Sequence, residues 1–140
     1  MKRDVTRRKF VKKTGMATAA ILGIGLIPVS CAPFVYGVHY VEADRIRIPK
    51  KEFGRSRFLV IQPQGLKAPV LISKIEEGEY SAVLMECTHK QCTITPAGQI
   101  LVCPCHGSEY DLRGKVIKSP AVENLITFKV NEDETNIYIY

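Results

Sequence analysis

Cys87-Thr88-His89-Lys90-Gln91-Cys92 and Cys103-Pro104-Cys105-His106-Gly107-Ser108-Glu109-Tyr110 are the two stretches that decide how this chain reads. Each offers a cysteine and a histidine at short spacing, and each holds one further cysteine. Thiolates are soft ligands that suit iron–sulfur clusters, zinc or copper, whereas imidazole is borderline and suits iron and zinc. Cys87-x-His89 and Cys103-x-x-His106 each put a sulfur and a nitrogen on one short loop. Two such loops facing each other form a Cys₂His₂ set. Zinc takes such sets, but a zinc finger usually pairs Cys with Cys and His with His. Here each loop is mixed and carries a spare cysteine.

These residues resemble the boxes C-T-H-x-x-C and C-P-C-H-G-S-x-Y of the high-potential Rieske iron–sulfur proteins, and every fixed position is matched. The resemblance is close over residues 83–125 and looser over the rest of the head. It implies one [2Fe–2S] cluster, with Cys87 and Cys103 on one iron and His89 and His106 on the other. Neutral imidazoles in place of two thiolates favour the reduced state and raise the potential to roughly −150 to +300 mV. The resemblance further implies a disulfide between Cys92 and Cys105 across the two loops. Oxygenase-type Rieske proteins usually lack that pair, so its presence points to the respiratory branch. Ser108 is expected to donate to a bridging sulfide and Tyr110 to a ligand cysteine sulfur, both raising the potential. Gly107 is expected to let the backbone approach the cluster. Ser119-Pro120-Ala121 falls where the family has a third loop over the cluster, with Ser119 at a position often occupied by glycine.

The charge is unevenly spread. Seven of the 20 Lys and Arg and one of the 14 acidic residues lie in residues 1–31, so that segment carries the whole net charge of +6 and the rest balances to zero. A nucleic-acid binder would need its basic residues on the folded domain, so no nucleic-acid partner is expected. Thr6-Arg7-Arg8-Lys9-Phe10-Val11-Lys12 fits the twin-arginine export pattern, and an apolar stretch follows it. That route carries folded proteins and suits a cluster assembled in the cytoplasm. Export also places Cys92 and Cys105 where a disulfide persists.

Three fates of this segment stay open. The uncharged run of 25 residues over 14–38 is long enough for an uncleaved membrane anchor, although Pro28 and Pro33 would kink or end it. Cys31, the odd cysteine, sits after Val29-Ser30 as a lipidation site would, with Pro28 where Leu is usual. Cleavage to a soluble protein is the third. The first two place the head on the periplasmic face of the bacterial inner membrane.

From about Tyr36 the chain reads as short strands: 37–41, 45–48, 57–62, 70–75, 80–85, 99–102, 115–118, 125–130 and 136–140. They are rich in Val, Ile, Tyr and Phe and bounded by Gly, Pro and charged pairs. Ile126, Phe128 and Val130 alternate, as do Ile137 and Ile139, and residues 131–135 make the turn of a hairpin. The expected fold is all-β, an antiparallel sandwich. The resemblance adds a cluster-binding subdomain at about 84–112. Residues 1–38 are expected to be signal and anchor, and residues 39–140 the Rieske domain. The stretch Glu76-Glu77-Gly78-Glu79 reads as a solvated turn, His39 as a strand residue, and Glu109 and Asp111 as surface residues.

The resemblance implies one-electron transfer, with no turnover by the chain alone. An oxygenase is not expected, because no second catalytic domain or mononuclear iron triad is present. The expected setting is a quinol-oxidising cytochrome bc-type complex, with cytochrome b, a c-type cytochrome and quinol as partners. The family's ligand imidazoles also tie reduction to proton uptake. Three features fit that setting less well. Respiratory proteins usually read C-T-H-L-G-C, and Lys90-Gln91 replaces the apolar Leu and the Gly, which suits an acidic partner better than a dry dock. The 13 residues between His89 and Cys103 are fewer than usual there. No Gly/Ala-rich hinge precedes the first strands. The alternative is a Rieske small subunit or stand-alone carrier for another periplasmic oxidoreductase, such as an arsenite-oxidase-like molybdenum enzyme.

Overall fold

The computed structural model describes residues 34–75 and 78–140. The twin-arginine motif, Cys31, Glu76 and Glu77 lie outside the described residues. Among the described residues, thirteen strands form three sheets. The first contains β1 (Val35–Tyr36), β4 (Phe58–Ile61), β5 (Val70–Lys74), β6 (Tyr80–Leu84) and β11 (Thr127–Phe128), in the order β1-β4-β5-β6-β11. The second contains β2 (Tyr40–Val41), β3 (Ile46–Pro49), β12 (Val130–Glu132) and β13 (Asn136–Ile139), in the order β12-β13-β3-β2. The third contains β7 (Thr95–Ala97), β8 (Ile100–Val102), β9 (Glu109–Asp111) and β10 (Val116–Lys118), in the order β10-β9-β8-β7. One 3₁₀ turn, Lys50–Phe53, follows β3.

The first sheet is the middle layer. Phe58 and Val60 pack with Leu71, Val83, Leu101 and Tyr110 on its cluster-loop side. Leu59 and Ile61 pack with Ile72, Ala82, Ile48, Ile137 and Ile139 on its other side. Strands buried on both faces lose the apolar–polar alternation, which is why β4 reads Phe-Leu-Val-Ile without a break. The second sheet covers only one face, so Ile137 and Ile139 alternate with the more exposed Asn136 and Tyr138.

The all-β expectation holds among the described residues, with local differences. The strand expected at 37–41 is instead two short ones, Val35–Tyr36 and Tyr40–Val41. β1 pairs with β4 in parallel, Val35 opposite Leu59 and Tyr36 opposite Val60, so the ladder is not wholly antiparallel. Phe34 also packs on the core, so the folded head begins inside the stretch expected to be anchor, ahead of residue 39. The strand expected at 125–130 is two strands. Thr127–Phe128 pairs with β6 and Val130–Glu132 with β13, so the chain changes sheets at Lys129. Ile126, read as part of an apolar face, is 58% exposed; its carbonyl instead accepts from the Leu84 N–H at 2.8 Å.

Candidate metal centre

β6 runs out of the middle sheet into Cys87–Cys92, and β8 leads into Cys103–Ser108. The two loops close by the same backbone bonds. Cys87 N–H donates to the Cys92 carbonyl at 2.9 Å and Gln91 N–H to the Cys87 carbonyl at 2.8 Å. Cys103 N–H donates to the Ser108 carbonyl at 2.8 Å and Gly107 N–H to the Cys103 carbonyl at 2.9 Å. The fourth residue after each leading cysteine has positive φ: 57° at Gln91 and 76° at Gly107. Such tight turns aim both cysteine side chains inward, and Cys87 and Cys103 are each 1% exposed.

The Cys92–Cys105 disulfide joins the loops, with 6.5 Å between its Cα atoms. Cys103 Sγ lies within 4.8 Å of both of its sulfurs. Because those two sulfurs are oxidised to each other, the trio is not a metal site. The imidazoles of His89 and His106 meet edge to face with centroids 4.9 Å apart. His106 is exposed and His89 half-buried, and His89 Nδ1 is buried without a hydrogen-bond partner.

Donors surround Cys87. Burial pushes its thiol up, but the Tyr110 hydroxyl, the His89 N–H, Cys103 and the Lys90 N–H outweigh that and hold it below the ordinary cysteine value. Tyr110 moves the other way: burial and the neighbouring Cys87 raise it, against the Thr88 hydroxyl and N–H. The phenol therefore keeps its hydrogen, 3.3 Å from Cys87 Sγ. On the other side Ser108, fully buried, accepts the Ala121 N–H at 3.0 Å. Its own hydrogen is left free to donate. That bond brings the Ser119-Pro120-Ala121 stretch onto the centre, as expected.

Glu109 pairs with Lys118 at 2.6 Å and Asp111 accepts the Arg113 and Lys115 N–H groups at 2.9 Å, so both serve local structure. His39 is half-buried between β1 and β2, outside any metal-ligand cluster among the described residues. Thr88 has a role that the sequence alone does not reveal. Its hydroxyl links Tyr110, at 3.0 Å, to the Glu123 carbonyl, at 2.8 Å. The only signal for it was its fixed place in the first box.

Residues 48–129, more than half of the chain, match the family profile described as Rieske [2Fe-2S] domain. The chain belongs to the Rieske family. As a Rieske protein it carries one [2Fe–2S] cluster and transfers electrons. It is 35% identical over 81 residues to a cytochrome b6-f complex iron-sulfur subunit of Prochlorococcus marinus subsp. pastoris, covering 54% of this chain and 46% of that protein. A Synechococcus sp. subunit of the same name is 38% identical over 55 residues, 38% of this chain and 31% of its own length. The chain thus spans less than half the length of the curated relatives it matches. Among solved structures it resembles the cyanobacterial plasma membrane Rieske protein PetC3 from Synechocystis PCC 6803. The TM-score is 0.55 and the identity 33%, over 60% of this chain and 86% of that one. A structure of the carbazole 1,9a-dioxygenase oxygenase–ferredoxin complex, at 24% identity and TM-score 0.50, shares the fold over 59% of this chain.

The residues fit such a cluster. Two buried thiols and an unpartnered buried imidazole nitrogen are what a thiolate–imidazole site requires, and a covalent clamp fixes the loops that bear them.

Proposed function

We propose that Cys87 and Cys103 hold one iron of the cluster and His89 and His106 the other. The bound cluster takes up and releases one electron at a time. The observation that carries this assignment is the meeting of both imidazoles, 4.9 Å apart, on two disulfide-joined loops whose leading thiols are free and buried. Ser108 and Tyr110 supply hydrogens to the cluster sulfurs and favour the reduced state. The exposed His106 is the contact for a redox partner. Buried Ser108, Tyr110 and Ala121 keep water from the sulfur side.

The leading setting is a periplasm-facing, membrane-tethered subunit of a quinol-oxidising cytochrome bc-type complex, exported by the twin-arginine route. It rests on the sequence likeness to cytochrome b6-f iron-sulfur subunits and on the Arg7-Arg8 motif. Here His89 and His106 couple electron uptake to proton uptake, and cytochrome b and a c-type cytochrome are the partners. In membranes lacking this protein, quinol-driven reduction of added cytochrome c is expected to be lost and to return with the wild-type chain. Unchanged reduction would overturn this setting.

The second setting, a small subunit or stand-alone carrier for another oxidoreductase, draws on β1. The chain from Val35 to Gly37 is bonded to β4, with Gly37 N–H on the Val60 carbonyl at 3.0 Å, so the head offers no loose hinge there. Copurification with a molybdenum enzyme instead of cytochrome b would select it. Intact mass of the mature protein reads the fate of Cys31 directly.

A further inference from the structure

Tyr110 has one hydroxyl hydrogen and two acceptors near it. Its oxygen lies 3.3 Å from Cys87 Sγ and 3.0 Å from Thr88 Oγ1. The Thr88 N–H donates to the same oxygen at 3.2 Å. That contact uses a lone pair and leaves the hydrogen uncommitted. A fourth bond fixes the direction between the two hydroxyls. Thr88 Oγ1 donates to the Glu123 carbonyl at 2.8 Å, a carbonyl can only accept, and a hydroxyl has a single hydrogen to give. Any bond between the two hydroxyls therefore runs from Tyr110 to Thr88, and the Tyr110 hydrogen is divided between Thr88 and Cys87.

We propose that Thr88 is a positioning residue that competes with Cys87 for the Tyr110 hydrogen and so holds the cluster potential below the value Tyr110 alone would set. The Glu123 carbonyl enforces this by taking the Thr88 hydrogen, which keeps Thr88 Oγ1 an acceptor. A hydrogen bond to a ligand sulfur raises the potential, so a hydrogen shared with oxygen raises it less. The inference rests on Cys87 being a cluster ligand.

The test is the midpoint potential of the full-length, cluster-loaded protein in a double-mutant cycle, with cluster content read by absorbance and EPR. Thr88→Val removes the competing acceptor and is expected to shift the potential upward. Tyr110→Phe is expected to shift it downward. The double variant is expected to match Tyr110→Phe alone, because no hydrogen is left to redirect. Thr88→Ser keeps the hydroxyl and is expected to stay at the wild-type potential. A potential that is unchanged or lower in Thr88→Val overturns the proposal, as does an equal Thr88→Val shift in the Tyr110→Phe background. Should Thr88→Val and Thr88→Ala both lose the cluster while Thr88→Ser keeps it, Thr88 is only a tie to the Glu123 loop and the proposal also falls. A Cys87→Ala protein that kept an unaltered cluster would instead break the ligand assignment, so the two failures are read apart.

Discussion

The loops Cys87–Cys92 and Cys103–Ser108 share one backbone turn and differ in almost everything hung on it. Both return the N–H of the fourth residue to the carbonyl of the leading cysteine. The first loop carries its histidine two residues after that cysteine, half-buried, and ends on a disulfide cysteine. The second carries its histidine three residues after, exposed, with the disulfide cysteine inside the turn. The first is served by a phenol and a threonine, the second by a buried serine tied to the Ala121 loop. A common turn therefore sets where the two thiols point, while the decoration decides which imidazole is exposed and which polar groups stand beside each sulfur.

The largest expected effect breaks either loop at its ligand. Cys87→Ala and Cys103→Ala should each abolish the visible absorbance and EPR signal of the cluster, since three ligands leave one iron short of its set. His106→Ala should do the same although that ring is exposed. Retention of a native spectrum in any of them would remove that residue from the ligand set.

Next in size is the clamp that makes the two loops one unit. Cys92 and Cys105 are 13 residues apart, and closing a loop of that order stabilises by roughly 3 kcal/mol through the unfolded chain. On the proposed ligand set, a cluster kept by the unfolded chain ties the same loops, so Cys92→Ala with Cys105→Ala should cost less than this in the loaded protein. Denaturant titration of the loaded and metal-stripped forms would show it: the difference from wild type should be larger in the stripped form. Equal costs would mean that the cluster leaves on unfolding and does not share the constraint on the unfolded chain.

Ser108 comes third. Ser108→Ala leaves the buried Ala121 N–H without its acceptor, which costs about 1–3 kcal/mol. It also removes a donor to the cluster and so lowers the midpoint potential. Loss of stability without any change in potential would leave Ser108 as a tie to its loop alone.

Much of this centre was legible in the sequence because it sits in two short, fixed-spacing boxes. Residue type and spacing suffice to mark the chemistry-bearing side chains when they sit together on short loops. The disulfide and the third loop followed from the family resemblance, and the structure brings both into place. Thr88 was not legible, since its role depends on Glu123, 35 residues away. In the fold, β4, β5 and β6 were readable from their apolar runs. β7 was hidden by Pro96 at the edge of its sheet, where a missing N–H is tolerated. β9 was hidden inside the second box. The sheet change at Lys129 was unreadable because Phe128 and Val130 keep a two-residue period while serving different sheets.

The smallest effect tests the shared turn itself. Gln91 and Gly107 occupy the same place in it, at φ 57° and 76°. A left-handed conformation costs an L-residue roughly 1–2 kcal/mol, and glycine escapes that cost while giving up about 0.5–1 kcal/mol in unfolded-state freedom. Gln91→Gly should therefore stabilise the protein by about 0.5 kcal/mol. Gly107→Ala should destabilise by a comparable amount or somewhat more, because strain is its main cost. No side chain lies within 4 Å of where that Cβ would sit. Opposite signs from equivalent positions, read as shifts in the denaturant midpoint at constant slope, would show that one turn governs both loops. If Gln91→Gly instead destabilised, the Gln91 side chain would have to make up more than the strain, and the loops would be alike only in hydrogen-bond pattern.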